Sequence, residues 1–301
     1  MSNTGTNALL IINPNSRSGA QASIEDGISL LQNAGFNIVQ AESHSPQETL
    51  HLIEQYHPQI DTVIIGGGDG SIHSAAGALY RHKLTLAILP LGTANDLAKS
   101  LGIPPNIAAA FNIIAANNRS RMDLGMVGDH YFFNVANIGL GVDVTRELTA
   151  ETKKKWGVFS YLKALITAFR NKHTFKAIIK INQKEYRMRS IQVAVGNGRY
   201  YGGGNSIDEH ASIDDGLLNI YSLQPQTLWE LLRQAPLLRS GRHREALKSF
   251  CATATRIDIH TIPSREVYAD GEPVGKTPTV FKVIPQALTV IRPQTENSPA
   301  P

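Results

Sequence analysis

The stretch Thr62-Val63-Ile64-Ile65-Gly66-Gly67-Gly68-Asp69-Gly70-Ser71 decides the fold. Its four leading residues form a short apolar run of the kind that makes a buried strand. The glycines end that strand, and a helix pattern follows over 71–81. A second copy of the same logic lies downstream, where Leu86-Ala87-Ile88-Leu89 runs into Pro90-Leu91-Gly92-Thr93-Ala94-Asn95-Asp96. Two such loops at the carboxyl ends of two parallel strands meet over one crevice, where open α/β sheets bind ligands. Backbone N–H groups in these loops and at the helix starts behind them suit phosphate. The pair therefore predicts a nucleotide phosphate site, and the aspartates point to chemistry or metal there.

Outward from these loops, strand and helix signals alternate. Strands are expected over 8–12, 36–41, 62–65 and 85–89. Helices are expected over 20–34, 46–56, 71–81, 94–101 and 105–116. This rhythm predicts a parallel sheet covered on both faces. It changes near Arg121. Beyond it, strand-like stretches dominate at 131–137, 176–181, 192–195, 217–222, 255–260 and 279–284, with helical insertions near 152–170 and 225–248. The expected fold is an α/β N-terminal domain with a parallel Rossmann-like sheet, followed by a mainly-β, sandwich-like C-terminal domain. With a boundary near 122–128, the domains are 1–124 and 125–293, and 294–301 reads as a disordered tail.

Composition bounds the function. The 301 residues are 42% hydrophobic and carry a formal charge of +4. Such mild basicity permits an anionic ligand or membrane surface, and no Lys/Arg block is dense enough to indicate nucleic acid. The single cysteine, Cys251, excludes an internal disulfide framework and fits a reducing compartment. No apolar run reaches the length of a spanning helix. A cytoplasmic protein is expected. The histidines include no His-Glu-x-x-His pair, and no zinc-type Cys/His cluster is visible. Gly275-Lys276-Thr277 lacks the upstream spacing of a P-loop, and Pro278 blocks the helix a P-loop needs.

Four ordered motifs carry a family resemblance. They are Gly67-Gly68-Asp69-Gly70-Ser71; Pro90 to Ala98; Asn197-Gly198-Arg199-Tyr200-Tyr201-Gly202-Gly203-Gly204 with Asp214-Asp215-Gly216-Leu217-Leu218; and Ala269-Asp270-Gly271-Glu272-Pro273. In order and spacing, over roughly 7–292, the chain resembles bacterial lipid kinases built on the diacylglycerol kinase catalytic domain, relatives of sphingosine kinases. The resemblance implies ATP- and Mg2+-dependent phosphorylation of a lipid hydroxyl. Nucleotide contacts are then expected from Asn13, Pro14, Asn15, Ser16 and Arg17 after the first strand. The glycine loop adds Gly66, Gly67, Gly68, Asp69, Gly70, Ser71 and Ile72, and the second loop adds Thr93, Asn95 and Asp96. Ser43 stands loosely where the family has a nucleotide-contacting threonine, or is an ordinary loop serine. Helix capping is the competing role for Asp69, Asn95 and Asp96.

For the metal, the resemblance implies Asp215 as ligand with the carbonyls of Ser212 and Leu217, and Asp123 as an organiser of the aspartate–water–metal network. A plain Asp-Gly turn is the alternative for Asp215. Glu272 is the expected general base, with Asp270 as support or rival; a hairpin turn explains the same residues without chemistry. The active site is expected in the cleft between the domains, and the second domain is expected to bind lipid and metal. One departure from the family is Ser71-Ile72-His73-Ser74-Ala75-Ala76, where threonine and then Asn-Glu are usual, so a carboxylate is missing. Lys153-Lys154-Lys155-Trp156 with the apolar residues after it forms either an amphipathic membrane-contacting helix or a helix packed on the sandwich. Arg233, Arg239, Arg242 and Arg244 form a second basic patch. Peripheral membrane contact follows from a lipid substrate, and a homodimer stays open. An NAD kinase-like enzyme and a non-catalytic lipid or nucleotide binder are the alternative functions.

Overall fold

The computed structural model describes residues 5–14, 16, 21–140, 142, 174–201, 205–208, 211–227, 229–230, 233, 240, 242 and 248–294. The expected helix at 152–170, most of that at 225–248, and Asn15, Arg17, Arg239 and Arg244 lie outside the described residues. The chain divides into two compact units, Met1–Leu124 with Pro285–Pro301, and Gly125–Ile284.

Unit one opens with β1 (Thr6–Ile12), α1 (Gln21–Asn33), β2 (Phe36–Glu42) and α2 (Pro46–Tyr56), the last followed by a 3-10 turn at His57–Gln59. It continues with β3 (Thr62–Gly67), α3 (Asp69–His82), β4 (Thr85–Pro90), α4 (Asp96–Ser100), α5 (Ile107–Ala116) and the start of β5 (Arg119–Val127). The strands lie in the order β2-β1-β3-β4, all parallel. Every residue of β3 and β4 is buried, which is why both read as unbroken apolar runs. Side chains cap two of the helices. Ser45 accepts from the Glu48 N–H at the start of α2, and Asn106 from the Ala109 N–H at the start of α5.

Unit two holds the end of β5 and β6 (His130–Phe132), β7 (Val135–Gly139), β8 (Phe175–Ile181), β9 (Lys184–Ser190), β10 (Gln192–Gly196), β11 (Tyr200–Tyr201) and β12 (Asn205–Ser206). After these come β13 (Leu218–Leu223), β14 (Ser249–Ala254), β15 (Arg256–Ile262), β16 (Glu266–Ala269), β17 (Glu272–Lys276) and the first half of β18 (Thr279–Ile291). One antiparallel sheet runs β14-β13-β10-β7-β16-β17. A second set, β18-β15-β8-β9, is also antiparallel. A shared core joins them, with Ile138, Val193, Val195, Leu218 and Ile220 from the first sheet and Ala177, Ile179, Ile257, Ile259 and Phe281 from the second. This is the expected sandwich-like arrangement.

By its internal contacts the second compact unit ends at Ile284. The second half of β18 lies parallel to β4, with Val290 opposite Leu86, and so belongs to unit one. The strand expected over 131–137 is two strands, β6 and β7. The N–H groups of Phe133, Asn134 and Val135 leave the ladder and donate to the carboxylate of Asp270.

Candidate active site

In unit one the carboxyl ends of β1, β3 and β4 bring the expected nucleotide residues together. Asn13 N–H donates to the Gly66 carbonyl at 2.9 Å, and Ser16 N–H closes a turn back to the Asn13 carbonyl at 3.0 Å. Pro14 lies in that turn. Leu91 N–H donates to the Gly67 carbonyl at 3.0 Å, which ties the second loop to the first. The two loops also touch through glycines. A Cβ at Gly92 would lie 2.5 Å from the Gly68 Cα, a separation real atoms do not adopt. A Cβ at Gly70 would meet nothing within 4 Å. Gly92 is thus required by loop packing, whereas Gly70 borders open space.

Helix α3 begins directly at Asp69, with Gly68 as its N-cap and no side-chain cap. Unlike α2 and α5, it presents its positive end to the loop without a capping side chain, the arrangement that favours phosphate. Asp69 does cap a helix, but a different one: its Oδ1 accepts the Leu97 N–H of α4 at 3.1 Å. The carboxylate therefore locks the glycine loop to the second loop. Asn95 sits at φ +50°, in the left-handed region. Its Oδ1 accepts the Gly92 N–H at 2.9 Å, and its Nδ2 donates to the carbonyls of Gly92 at 2.9 Å and Pro90 at 3.2 Å. Asn95 thus braces the loop from inside. Asp96 is buried at the start of α4, with the Lys99 ammonium 3.9 Å away, and Thr93 is exposed at the loop tip. Ser71 is half-buried on α3, and Ile72 is buried in the core.

Ser43 follows β2 and is 2% exposed, with its hydroxyl bonded to the Ser45 carbonyl at 2.8 Å and the Thr49 hydroxyl at 2.7 Å, so its side chain organises the start of α2. Asp123 is buried on β5, and its Oδ1 accepts the N–H of Gln286 at 2.7 Å. Gln286 has φ +49°, and Arg121 donates to its carbonyl. Asp123 and Arg121 together hold the bend in β18 within unit one.

In unit two, Asp270 and Gly271 are the central residues of the hairpin joining β16 to β17. Both have positive φ, +47° and +98°, as a two-residue type I′ turn demands. The Asp270 carboxylate accepts from Phe133 N–H at 2.7 Å and from Asn134 and Val135 N–H at 3.0 Å each. The same segment is gripped by Asn197, buried at 1%, whose side-chain amide donates to the Phe133 carbonyl at 3.1 Å. Asn197 stood in a recognised motif, yet nothing in its own neighbourhood foretold this partner. The Glu272 carboxylate is exposed and makes no hydrogen bond or ion pair among the described residues. The two carboxylates of one hairpin thus have different environments.

The loop 212–217 folds around one carboxylate. Asp215 Oδ2 accepts the Ser212 N–H at 3.1 Å, and Oδ1 accepts the Leu217 N–H at 2.9 Å. The three residues expected to form a magnesium site are therefore neighbours in one loop. Their donors, one carboxylate and two backbone carbonyls, are hard oxygens of the class magnesium takes, so the residues fit that ion.

Comparison with known proteins gives the family of the chain. Residues 7–127 match the family described as Diacylglycerol kinase catalytic domain. Residues 136–292 match the YegS C-terminal NAD kinase beta sandwich-like domain. A protein of Pseudomonas aeruginosa named Probable lipid kinase YegS-like is 35% identical over 235 residues, covering 77% of this chain and 76% of its own. A Salmonella arizonae protein named Probable lipid kinase YegS is 30% identical over 287 residues, covering 93% and 94%. The crystal structure of a candidate diacylglycerol kinase from Bacillus anthracis superposes with a TM-score of 0.82 at 27% identity, covering 96% of this chain and 98% of that one. The chain belongs to the kinase family that joins a diacylglycerol kinase catalytic domain to a YegS-type C-terminal domain.

Proposed function

We propose that this protein is an ATP- and Mg2+-dependent lipid kinase that transfers the γ-phosphoryl group to a lipid hydroxyl, such as that of diacylglycerol or phosphatidylglycerol. The observation that carries the reading is the uncapped start of α3 at a glycine loop braced by a second loop. Such a cradle supplies backbone N–H groups and a helix dipole for a triphosphate. Thr93 and Asp96 stand on the adjoining loop to meet the nucleotide, and Asn95 keeps that loop in shape.

Phosphoryl transfer asks a protein chiefly to position its reactants, neutralise charge and accept one proton. Glu272 is the group for the proton, because its carboxylate is exposed at a rigid turn. The Asp270 carboxylate is committed to three backbone N–H groups and serves as the anchor of that turn. Asp215, with the carbonyls of Ser212 and Leu217, would hold magnesium, which supplies charge neutralisation for the phosphates. The lipid is met at a membrane surface: among the described residues no helix is long and apolar enough to cross one.

The deciding assay incubates the protein with labelled ATP, Mg2+ and a panel of diacylglycerol, monoacylglycerol, phosphatidylglycerol, sphingosine, ceramide and NAD. Label should enter a lipid and be abolished by EDTA. Label in NAD alone would sink the proposal, and no transfer to any acceptor would favour a non-catalytic binder.

A further inference from the structure

We propose that Glu54, His57 and His82 form a binding site for a divalent transition metal of the zinc type. Sequence inspection alone expects no zinc-type cluster, because Glu54 and His57 are separated from His82 by β3 and most of α3. The packing of α2 against α3 brings them together. Glu54 and His57 stand three residues apart at the end of α2, hence on one face. His82 is the last residue of α3. One ligating atom from each lies within 4.8 Å of the other two.

The chemistry of the cluster is that of a metal site. Two imidazoles and one carboxylate are a borderline donor set that prefers zinc-like ions over magnesium. Three protein ligands leave a fourth tetrahedral position for water. His82 Nε2 and Glu54 Oε2 are 2.8 Å apart, sharing a proton. A metal takes the place of that proton, with bonds of about 2.0–2.2 Å to nitrogen and carboxylate oxygen. His57 already lies against His82, the rings stacked at 3.7 Å and 15°. Coordination draws the stack out of parallel, since ligand lone pairs lie in the ring planes. Arg81 is the competing cation, 2.7 Å from Glu54 Oε1.

This site is separate from the nucleotide loops. The 14 residues of α3 place His82 about 20 Å from the glycine loop. Loss of the zinc ligands should therefore leave phosphoryl transfer unchanged.

The test titrates zinc chloride into the full chain against a chromophoric chelator, with excess Mg2+ present. Wild type should bind one zinc per chain. His57→Gln and His82→Gln should each weaken binding by more than the roughly 10–100-fold that loss of an outer-shell partner costs. Arg81→Ala should tighten it by removing the competing cation. Cobalt in place of zinc should give visible ligand-field bands that vanish in either histidine variant. Circular dichroism checks folding, and His57→Gln, altering a turn at a helix end, carries the test if His82→Gln misfolds. No zinc uptake by wild type, or uptake unchanged in His57→Gln, would overturn the proposal.

Discussion

At the scale of single residues, similar side chains separate by what they touch. Asp270 and Glu272 lie two apart on one turn, yet only Asp270 is tied to the backbone. Asp270→Asn removes charge from three hydrogen bonds, each worth about 1.5–3 kcal/mol to an ionised acceptor. It should therefore lower the melting temperature and reduce transfer with it. Glu272→Gln should abolish transfer of label from ATP while leaving the melting curve in place. Full activity in Glu272→Gln would show that the base lies elsewhere. The glycines divide in the same way. Gly92→Ala drives a methyl group into the Gly68 backbone and should destabilise unit one by about 1–3 kcal/mol. Gly70→Ala meets open space, so the fold should survive while the KM for ATP rises. An unchanged KM would mean that the nucleotide does not approach Gly70.

At the scale of elements, legibility followed burial. Strands β3 and β4 are covered on both faces, so their sequences are plain apolar runs. Strand β9, Lys184-Glu185-Tyr186-Arg187-Met188-Arg189-Ser190, exposes most of its length and is rich in charge, and its pattern gave no strand. The β16–β17 hairpin was visible only as a turn, because Pro273 and Gly275 interrupt the strand pattern. Loop roles were legible as motifs, but partners distant in sequence, such as Asp270 with Phe133 or Glu54 with His82, arise only from the fold. One helix start makes a pH prediction. Thr227 N–H donates to Glu230 Oε2 at 2.7 Å, and Glu230 N–H to the Thr227 hydroxyl at 3.2 Å, a reciprocal capping box. The Thr227 N–H foremost, then Lys248, lower the Glu230 pKa from 4.5 to about 2. A depressed carboxyl stabilises the fold above its unfolded pKa and ceases to do so as pH falls through the folded one. The cap should therefore be intact above pH 4.5 and fail on acidification toward pH 2. Carboxyl NMR should place the Glu230 midpoint near 2, and Thr227→Ala should move it upward.

At the scale of the whole molecule, the two units carry different parts of the proposed chemistry: the phosphate cradle in unit one, the magnesium loop and Glu272 in unit two. The chain leaves unit one at Leu124 and returns to it at Pro285. Unit one therefore consists of two separate lengths of sequence, and its strand β4 gains the neighbour at Val290 only from the second. A chain truncated after Ile284 should keep β1 to β4 but leave an unpaired strand edge, a template for aggregation. Sedimentation and ATP binding of the truncated chain test this; a soluble fragment with full-length affinity would contradict it.

The returning strand also sets a schedule for the newborn protein. At about 5–20 residues per second, a ribosome needs roughly 8–32 s to synthesise the span between Leu124 and Pro285. Throughout that interval the half with the glycine loops lacks its final strand. Unit two, whose sequence is uninterrupted, has all its residues first. Order of synthesis and order of completion are thus reversed, and the half made first is the half that waits longest to be complete.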